Sequence, residues 1–481
     1  MENACKDYYK TNDDKELIED KTKEKVKIKA DKKKIEIIKE REASVCYNSK
    51  KNDKGIKCDA ESVAGSVSQR ACVYCGARVV LNPITDAYHI VHGPIGCASY
   101  TWDIRGSLSS GEEVYRNSFS TDLREEDVIF GGEKKLAAAI DEVVANYSPK
   151  VIFIYSTCIV GVIGDDVEAV CRKAEEKYSI RVISVKSPGF AGNKSTGYKL
   201  ACNALIDLMG KKKDENKEKI EGINILGDFN LSGEIWILQK YLKEMGVKVV
   251  SKITGDGKTE EIMNAPRAAL NIVQCAGSMV YLAKQMEELY DIPFIKVSFL
   301  GIEDIKSSLL NIADILGNDE MKRKTKVMLD REEKKISSKL IYYKNRLKGK
   351  KAAIYVGGGF KAISLIKQFN ELGMETVMVG TQTGKQEDYD IIKSLCNEGT
   401  VILDDTNPSE LEKFILEKRP DILVGGVKER PLAYKLGVAF CDHNHERKHA
   451  LSGFEGAENF AEEVDMSINS PVWKLISDAG F

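Results

Sequence analysis

Three cysteines and two histidines fall within one short stretch, Ala71 to Cys97, which reads ACVYCGARVVLNPITDAYHIVHGPIGC. Thiolates are soft ligands that select zinc, copper and iron–sulfur clusters. The stretch closes on His92-Gly93-Pro94-Ile95-Gly96-Cys97, a cysteine set in backbone that Gly and Pro shape. Glycine lets a main chain approach a bulky inorganic group and turn N–H groups toward its sulfurs. Cys72-Val73-Tyr74-Cys75 by itself leaves three readings open. A zinc site would want a second pair at similar spacing, and none exists. A thioredoxin-type pair would start a helix after a strand, whereas Gly76 and the run Arg78–Leu81 follow here. The third reading is an iron–sulfur cluster held by Cys72, Cys97 and Cys158. Such clusters usually take four thiolates, so the last would come from Cys75 or from another subunit.

A second concentration of chemistry lies near the C-terminus. Cys441-Asp442-His443-Asn444-His445, with His449, places three of the five histidines within seven residues, as a polar loop or as a metal-facing wall. Gly357-Gly358-Gly359 resembles a phosphate-cradling turn but lacks the full dinucleotide or P-loop pattern. A tight strand-to-helix turn or close approach to a bulky ligand explains it better. No Gly-x-Ser-x-Gly or His-Glu-x-x-His motif gives a hydrolase reading a foothold.

The elements that must position these residues repeat one pattern. Residues 149–186 read strand, polar turn, helix, strand, and residues 222–250, 268–297 and 350–380 repeat it, with a shorter copy from Pro420. Continuous β-branched strands alternating with helices predict an α/β fold, with parallel sheets covered on both faces in two or three doubly wound Rossmann-like domains. The expected divisions are a Lys-rich extension over 1–65 and α/β domains over 66–215, 216–345 and 346–481. Ligands of open α/β sheets bind outside the carboxyl ends of the strands. Cys158 follows the strand Val151–Tyr155, Cys275 ends the strand Leu270–Gln274 and Cys441 follows the strand Val438–Phe440, so all three are expected at functional edges. Cys46 and Cys58 fall in the polar extension, where they are expected to be exposed.

Composition narrows the function class. The chain has 481 residues and a net charge of −2, so nothing global suggests nucleic acid or a membrane surface. Its N-terminus is polar and charged, unlike a secretory signal, and its longest apolar run is too short for a membrane span. Twelve cysteines without an export signal argue against a disulfide framework and for a cytoplasmic location.

With these residues in view, HGPIGC, YSTCIVGVIGDD, SPGF, NIVQCAGS and GVAFCDHNHERKHALSGFEG together resemble the nitrogenase MoFe-protein superfamily. Within it, TWDIRG, STDLREEDVIFGGEKKL, VSFLGIED, VGTQTGKQEDYDII and INSPVWKLI resemble the NifE-type subunits of the scaffold for iron–molybdenum cofactor biosynthesis. The resemblance implies a nitrogenase component 1 type fold. It implies that Cys72, Cys97 and Cys158 hold a [4Fe–4S] cluster whose fourth thiolate comes from a homologous NifN-type subunit in an α2β2 heterotetramer. It implies that Cys275 binds the iron–sulfur precursor of the cofactor. A catalytic α-chain carries a molybdenum-ligating histidine in the loop matching Cys441–Gly456; an ungapped count places Asn444 there, between His443 and His445. The catalytic His pair is matched by Tyr198 and Lys199. Both departures fit a scaffold that releases its product rather than an independent enzyme, the catalytic α-chain being the alternative. The implied partners are a NifB-type maturase, the nitrogenase iron protein and apo-dinitrogenase, with molybdenum and homocitrate bound transiently. Cys46 and Cys58 are candidate cluster-transfer thiols.

Overall fold

The strands carry the design of this protein. In the computed structural model, which describes residues 41–49, 55–58, 71–102, 117–210, 218–274, 276–317, 319–444, 447 and 449–473, fourteen strands form three sheets. The shortest and earliest is β1 (Val45–Tyr47). The first sheet contains β2 (Ala87–His92), β3 (Ser118–Ser120), β4 (Val151–Ser156) and β5 (Arg181–Lys186), in the order β3-β2-β4-β5. Strand β4, VIFIYS, is buried along its whole length, as a parallel strand covered on both faces must be. The second sheet holds β6 (Ile220–Leu226), β7 (Val249–Ile253), β8 (Ala268–Val273) and β9 (Phe294–Lys296), in the order β7-β6-β8-β9. The third holds β10 (Lys351–Val356), β11 (Glu375–Thr381), β12 (Val401–Asp404), β13 (Ile422–Gly425) and β14 (Ala439–Asp442), in the order β1-β12-β11-β10-β13-β14. All pairings are parallel except β1 against β12.

Two local expectations need correction. Cys72-x-x-Cys75 does open a helix, Val73–Leu81, with Cys72 as its N-cap. The helix forms because its partner, Lys194–Met209, crosses it almost backbone to backbone. A Cβ on Gly76 would lie 2.2 Å from the Lys194 carbonyl oxygen, and one on Gly197 would lie 2.0 Å from that of Val73. The second correction concerns the N-terminal extension. Strand β1 zips onto the edge of the third sheet, and Cys46 is buried in that sheet's core beside Ile56. Arg41 donates to the carbonyls of Asp404 and Asp405 and pairs with the buried Glu410 at 3.4 Å. Cys46 is therefore neither exposed nor in a free arm, because the open edge of β12 offers its N–H and C=O groups a partner. Cys58 is half-buried against the same core.

One apolar core runs from the first sheet into the second, joining Val79 and Leu205 to Leu226, Ile253 and Met279. The helix Asp319–Leu347 buries Met328, Leu329 and Ile336 against the second sheet's core. No helix among the described residues is long and apolar enough to cross a membrane.

Candidate functional site

In the first sheet, β2, β4 and β5 run parallel, with His92 beside Ser156 and Ser156 beside Lys186. Their carboxyl ends are level. The segments that leave them carry Cys97 in the helix Ile95–Trp102, Cys158 at the start of the helix Cys158–Ile163 and Gly189 in a 3-10 turn, and Cys72 joins them from the N-cap of Val73–Leu81. The Gly189 N–H donates to Cys158 Sγ at 3.0 Å. A Cβ on Gly189 would lie 3.1 Å from Cys158 Sγ and 4.0 Å from Cys72 Sγ, so glycine is what lets the main chain reach both sulfurs. Burial pushes the Cys97 thiol up, and the neighbouring sulfurs of Cys158 and Cys72 push it further, which places all three in one electrostatic group.

Cys72 and Cys158 are exposed. Their rim is apolar: Ile95 is 54 % exposed, Val162 75 % and Phe190 65 %. Cys75 differs from these two cysteines. It is buried, and its thiol is raised foremost by that burial. Among the described residues, no group of three His, Cys, Asp or Glu side chains could hold a single metal ion. Three sulfurs that converge beside a backbone donor have the soft-ligand chemistry that an iron–sulfur cluster takes. His89 is a core residue, with Nδ1 2.9 Å from the Tyr155 hydroxyl and Nε2 buried without a partner between the rings of Phe153 and Tyr155 and the Arg78 side chain.

A cavity of about 170 Å³ lies where the carboxyl ends of the second and third sheets meet the helix Lys194–Met209. Its wall includes Gln274 and Gly277, which flank Cys275; Cys275 itself lies outside the described residues, as does His445. Gly357 and Gly358 follow β10, and a Cβ on either would meet nothing within 4 Å. These two glycines therefore face open cavity, as close approach to a bulky ligand requires, whereas Gly359 packs against Asp388. Lys361 donates to the His443 carbonyl at 3.0 Å, and Arg447 donates to the same oxygen at 3.3 Å. Arg447 also binds the buried Glu234 carboxylate at 2.7 Å.

His443 is 1 % exposed, and both ring nitrogens lack a hydrogen-bond partner. Burial first, then the charges of Lys361 and Arg447, hold its pKa well below the ordinary value, so the ring is neutral. Its edge-to-face contact with Phe460, 5.7 Å between centroids, fixes the ring plane. A neutral imidazole with an unused lone pair can serve as a metal ligand. Asn444 also lines the cavity, with its amide nitrogen 2.5 Å from where a Gly426 Cβ would stand. Tyr198 lines the opposite wall beneath the Lys194 ammonium, 5.8 Å from its ring centre. Asp228, buried in the wall, is raised to about 7, chiefly by burial and then by Glu234.

Two residues expected at this edge are not there. Cys441 lies within β14, fully buried in the sheet core, because the strand runs two residues further than Phe440, to Asp442. His449 lines a different, outward pocket with Trp473 and Tyr434, so it does not share a wall with His443. Lys361, Arg447, Asp228 and Gly189 were missed by the sequence reading. Lys361 had a legible signal, two residues beyond the glycine run at the start of a helix. The others are brought in by tertiary packing alone.

The profile of the family described as Nitrogenase component 1 type Oxidoreductase matches residues 72–469. The protein of Clostridium pasteurianum named "Nitrogenase iron-molybdenum cofactor biosynthesis protein NifE" is 73 % identical over 449 residues, covering 92 % of this chain and 98 % of its own. A protein of the same name from Methanosarcina barkeri is 53 % identical, covering 92 % of this chain and 99 % of its own. The solved structure titled "Nitrogenase Cp1 at pH 5" superposes with a TM-score of 0.84 at 32 % identity, covering 92 % of this chain and 97 % of that one.

Proposed function

The chain belongs to the nitrogenase component 1 type oxidoreductase family, and from that membership we propose that it is a scaffold subunit for building the iron–molybdenum cofactor. The observation that carries this reading is a group of three thiols opening onto an apolar surface, separate from a cavity whose wall holds a neutral imidazole with both nitrogens unpartnered. Cys72, Cys97 and Cys158 hold a [4Fe–4S] cluster, and a homologous NifN-type subunit covers the rim of Ile95, Val162 and Phe190 and supplies the fourth thiolate. The complex is an α2β2 heterotetramer in the cytoplasm.

The cavity receives the iron–sulfur precursor as cargo from a NifB-type maturase. Cys275 is its thiolate anchor, His443 and Asn444 stand in the cavity wall, and His445 is a further candidate cavity residue. Lys361, Arg447 and the open N-terminus of the helix Gly359–Glu371 favour an anionic cargo. Molybdenum and homocitrate are added there with the nitrogenase iron protein, and the product passes to apo-dinitrogenase. Asn444, in place of a permanent nitrogen ligand, eases release. Of the two candidate transfer thiols, Cys58 keeps that role, whereas Cys46 is locked in the third sheet.

The test is iron and sulfide analysis of the anaerobically isolated two-subunit complex. Cys97→Ala with Cys158→Ala should remove the cluster iron and leave the cargo iron; Cys275→Ala should do the reverse. Unchanged iron in both variants would sink the reading. Substantial acetylene reduction without added dinitrogenase would instead favour the catalytic α-chain.

A further inference from the structure

We propose that His92 is a positioning residue that grips the helix Cys158–Ile163 at both ends and so sets the Cys158 sulfur relative to the helix Ile95–Trp102 that carries Cys97. The inference rests on the cluster reading above and concerns a residue with no expected contact to the metal.

His92 is the last residue of β2 and is fully buried. Its carbonyl oxygen accepts both the Thr157 N–H and the Thr157 hydroxyl at 3.1 Å, and Thr157 is the N-cap residue directly before Cys158. Its ring reaches past the other end of the same helix. Nε2–H donates to Asp165 Oδ2 at 3.1 Å, just after the C-cap Gly164. The remaining nitrogen, Nδ1, lies 3.1 Å from Thr121 Oγ1, which also accepts the Gly93 N–H at 3.1 Å. Thr121 thus ties the ring to Gly93, the first residue of the short turn that leads into the helix carrying Cys97. Asp165 is held in turn by the Gly132 N–H at 3.1 Å.

Two glycines make room for this arrangement. A Cβ on Gly93 would lie 2.1 Å from Thr157 Oγ1, and one on Gly132 would lie 3.0 Å from His92 Cε1 and 2.9 Å from Asp165 Oδ2. The helix Cys158–Ile163 buries only Val160. With so little apolar anchorage, hydrogen bonds at its two ends must set its position. One side chain and its own carbonyl supply contacts at both ends, from the strand that leads into Cys97. An ordinary buried histidine needs only one or two partners; this one spans the two segments whose sulfurs must keep a fixed separation.

The experiment compares His92→Phe, Asp165→Ala and His92→Gln in the anaerobically isolated two-subunit complex, reading the rate at which a ferrous chelator strips cluster iron, the reduced cluster's electron paramagnetic resonance spectrum and the thermal unfolding temperature. His92→Phe and Asp165→Ala should each speed iron release about tenfold, the ratio corresponding to a lost contact of about 1.4 kcal/mol. They should also alter the cluster spectrum while unfolding temperatures stay near the parent's. His92→Gln, which retains a donor for Asp165, should recover most of the parent rate. A cluster-independent arm uses the metal-stripped full-length chain and a short bifunctional thiol cross-linker. The Cys97–Cys158 cross-linked peptide should fall in yield in His92→Phe and Asp165→Ala. Parent-like release, spectrum and cross-linking in both variants would overturn the proposal. A parent complex with no cluster iron would overturn the cluster reading, and the cross-linking yield would still judge the clamp.

Discussion

Replacing Asp228 by Asn should stabilise the protein, with a pH dependence that identifies the cause. Asp228 is buried in the cavity wall, and its carboxyl is raised from 3.8 to about 7 by burial first and then by the nearby Glu234 carboxylate. The folded protein therefore holds this proton over a range in which the unfolded chain has lost it. Between about pH 4 and pH 7 the unfolded state binds fewer protons, so ionisation costs the fold stability as pH rises. The cost grows by about 1.4 kcal/mol per pH unit across that window and levels off above pH 7. A shift of about three units sets an upper value of about 4 kcal/mol at pH 8. Asn keeps an oxygen that can accept the Asn230 N–H, now 2.7 Å from Asp228 Oδ1, so the turn it caps should persist. Urea midpoints of the parent and Asp228→Asn, measured from pH 4 to pH 8, should coincide at the acid end and diverge steadily toward neutrality in favour of the variant. A difference that is flat with pH, or a variant less stable than the parent at pH 8, would refute the assignment of a buried, protonated carboxyl. Glu429, also buried and raised to about 7, adds the same sign to the parent's own profile but cancels in the difference.

Other expectations follow from the glycines. Gly197→Ala forces a Cβ to within 2.0 Å of the Val73 carbonyl. It should cost about 1–3 kcal/mol or more by overpacking the helix pair that carries Cys72, read as a drop in thermal unfolding temperature. Gly96→Ala, whose Cβ meets nothing within 4 Å, should stay within about 0.5 kcal/mol of the parent. Gly358→Val projects into the cavity from an extended backbone that any residue adopts. It should leave the unfolding temperature nearly unchanged yet weaken precursor binding by about tenfold or more, read as cargo iron retained on gel filtration. A variant that loads normally would show that the cargo does not use this wall.

The order of elements was legible from the amino-acid sequence because β-branched runs alternate with helical periodicity, and parallel strands buried on both faces leave no other pattern. Strands near Val151, Ile220, Ala268 and Lys351, and the helix ending at Leu347, lie close to where that periodicity puts them. So did the edge rule for Cys158, since a cysteine one residue past a strand's turn must sit at the sheet's carboxyl end. Chain order alone could not say that β2, β4 and β5 end level with one another. That register sets Cys97, Cys158 and the Gly189 N–H side by side, and hydrogen bonding between strands distant in sequence decides it. Nor could it say that Cys441 turns into the core while His443, two residues on, keeps a bare imidazole in the cavity. The same holds for Cys46, polar in its surroundings along the chain yet buried once β1 meets the open edge of β12. Residue types set which chemistry the chain can do; the pairing of strand edges and the near contact of Gly76 and Gly197 with the facing backbone decide where it is done, because those contacts join segments whose sequences carry no trace of one another.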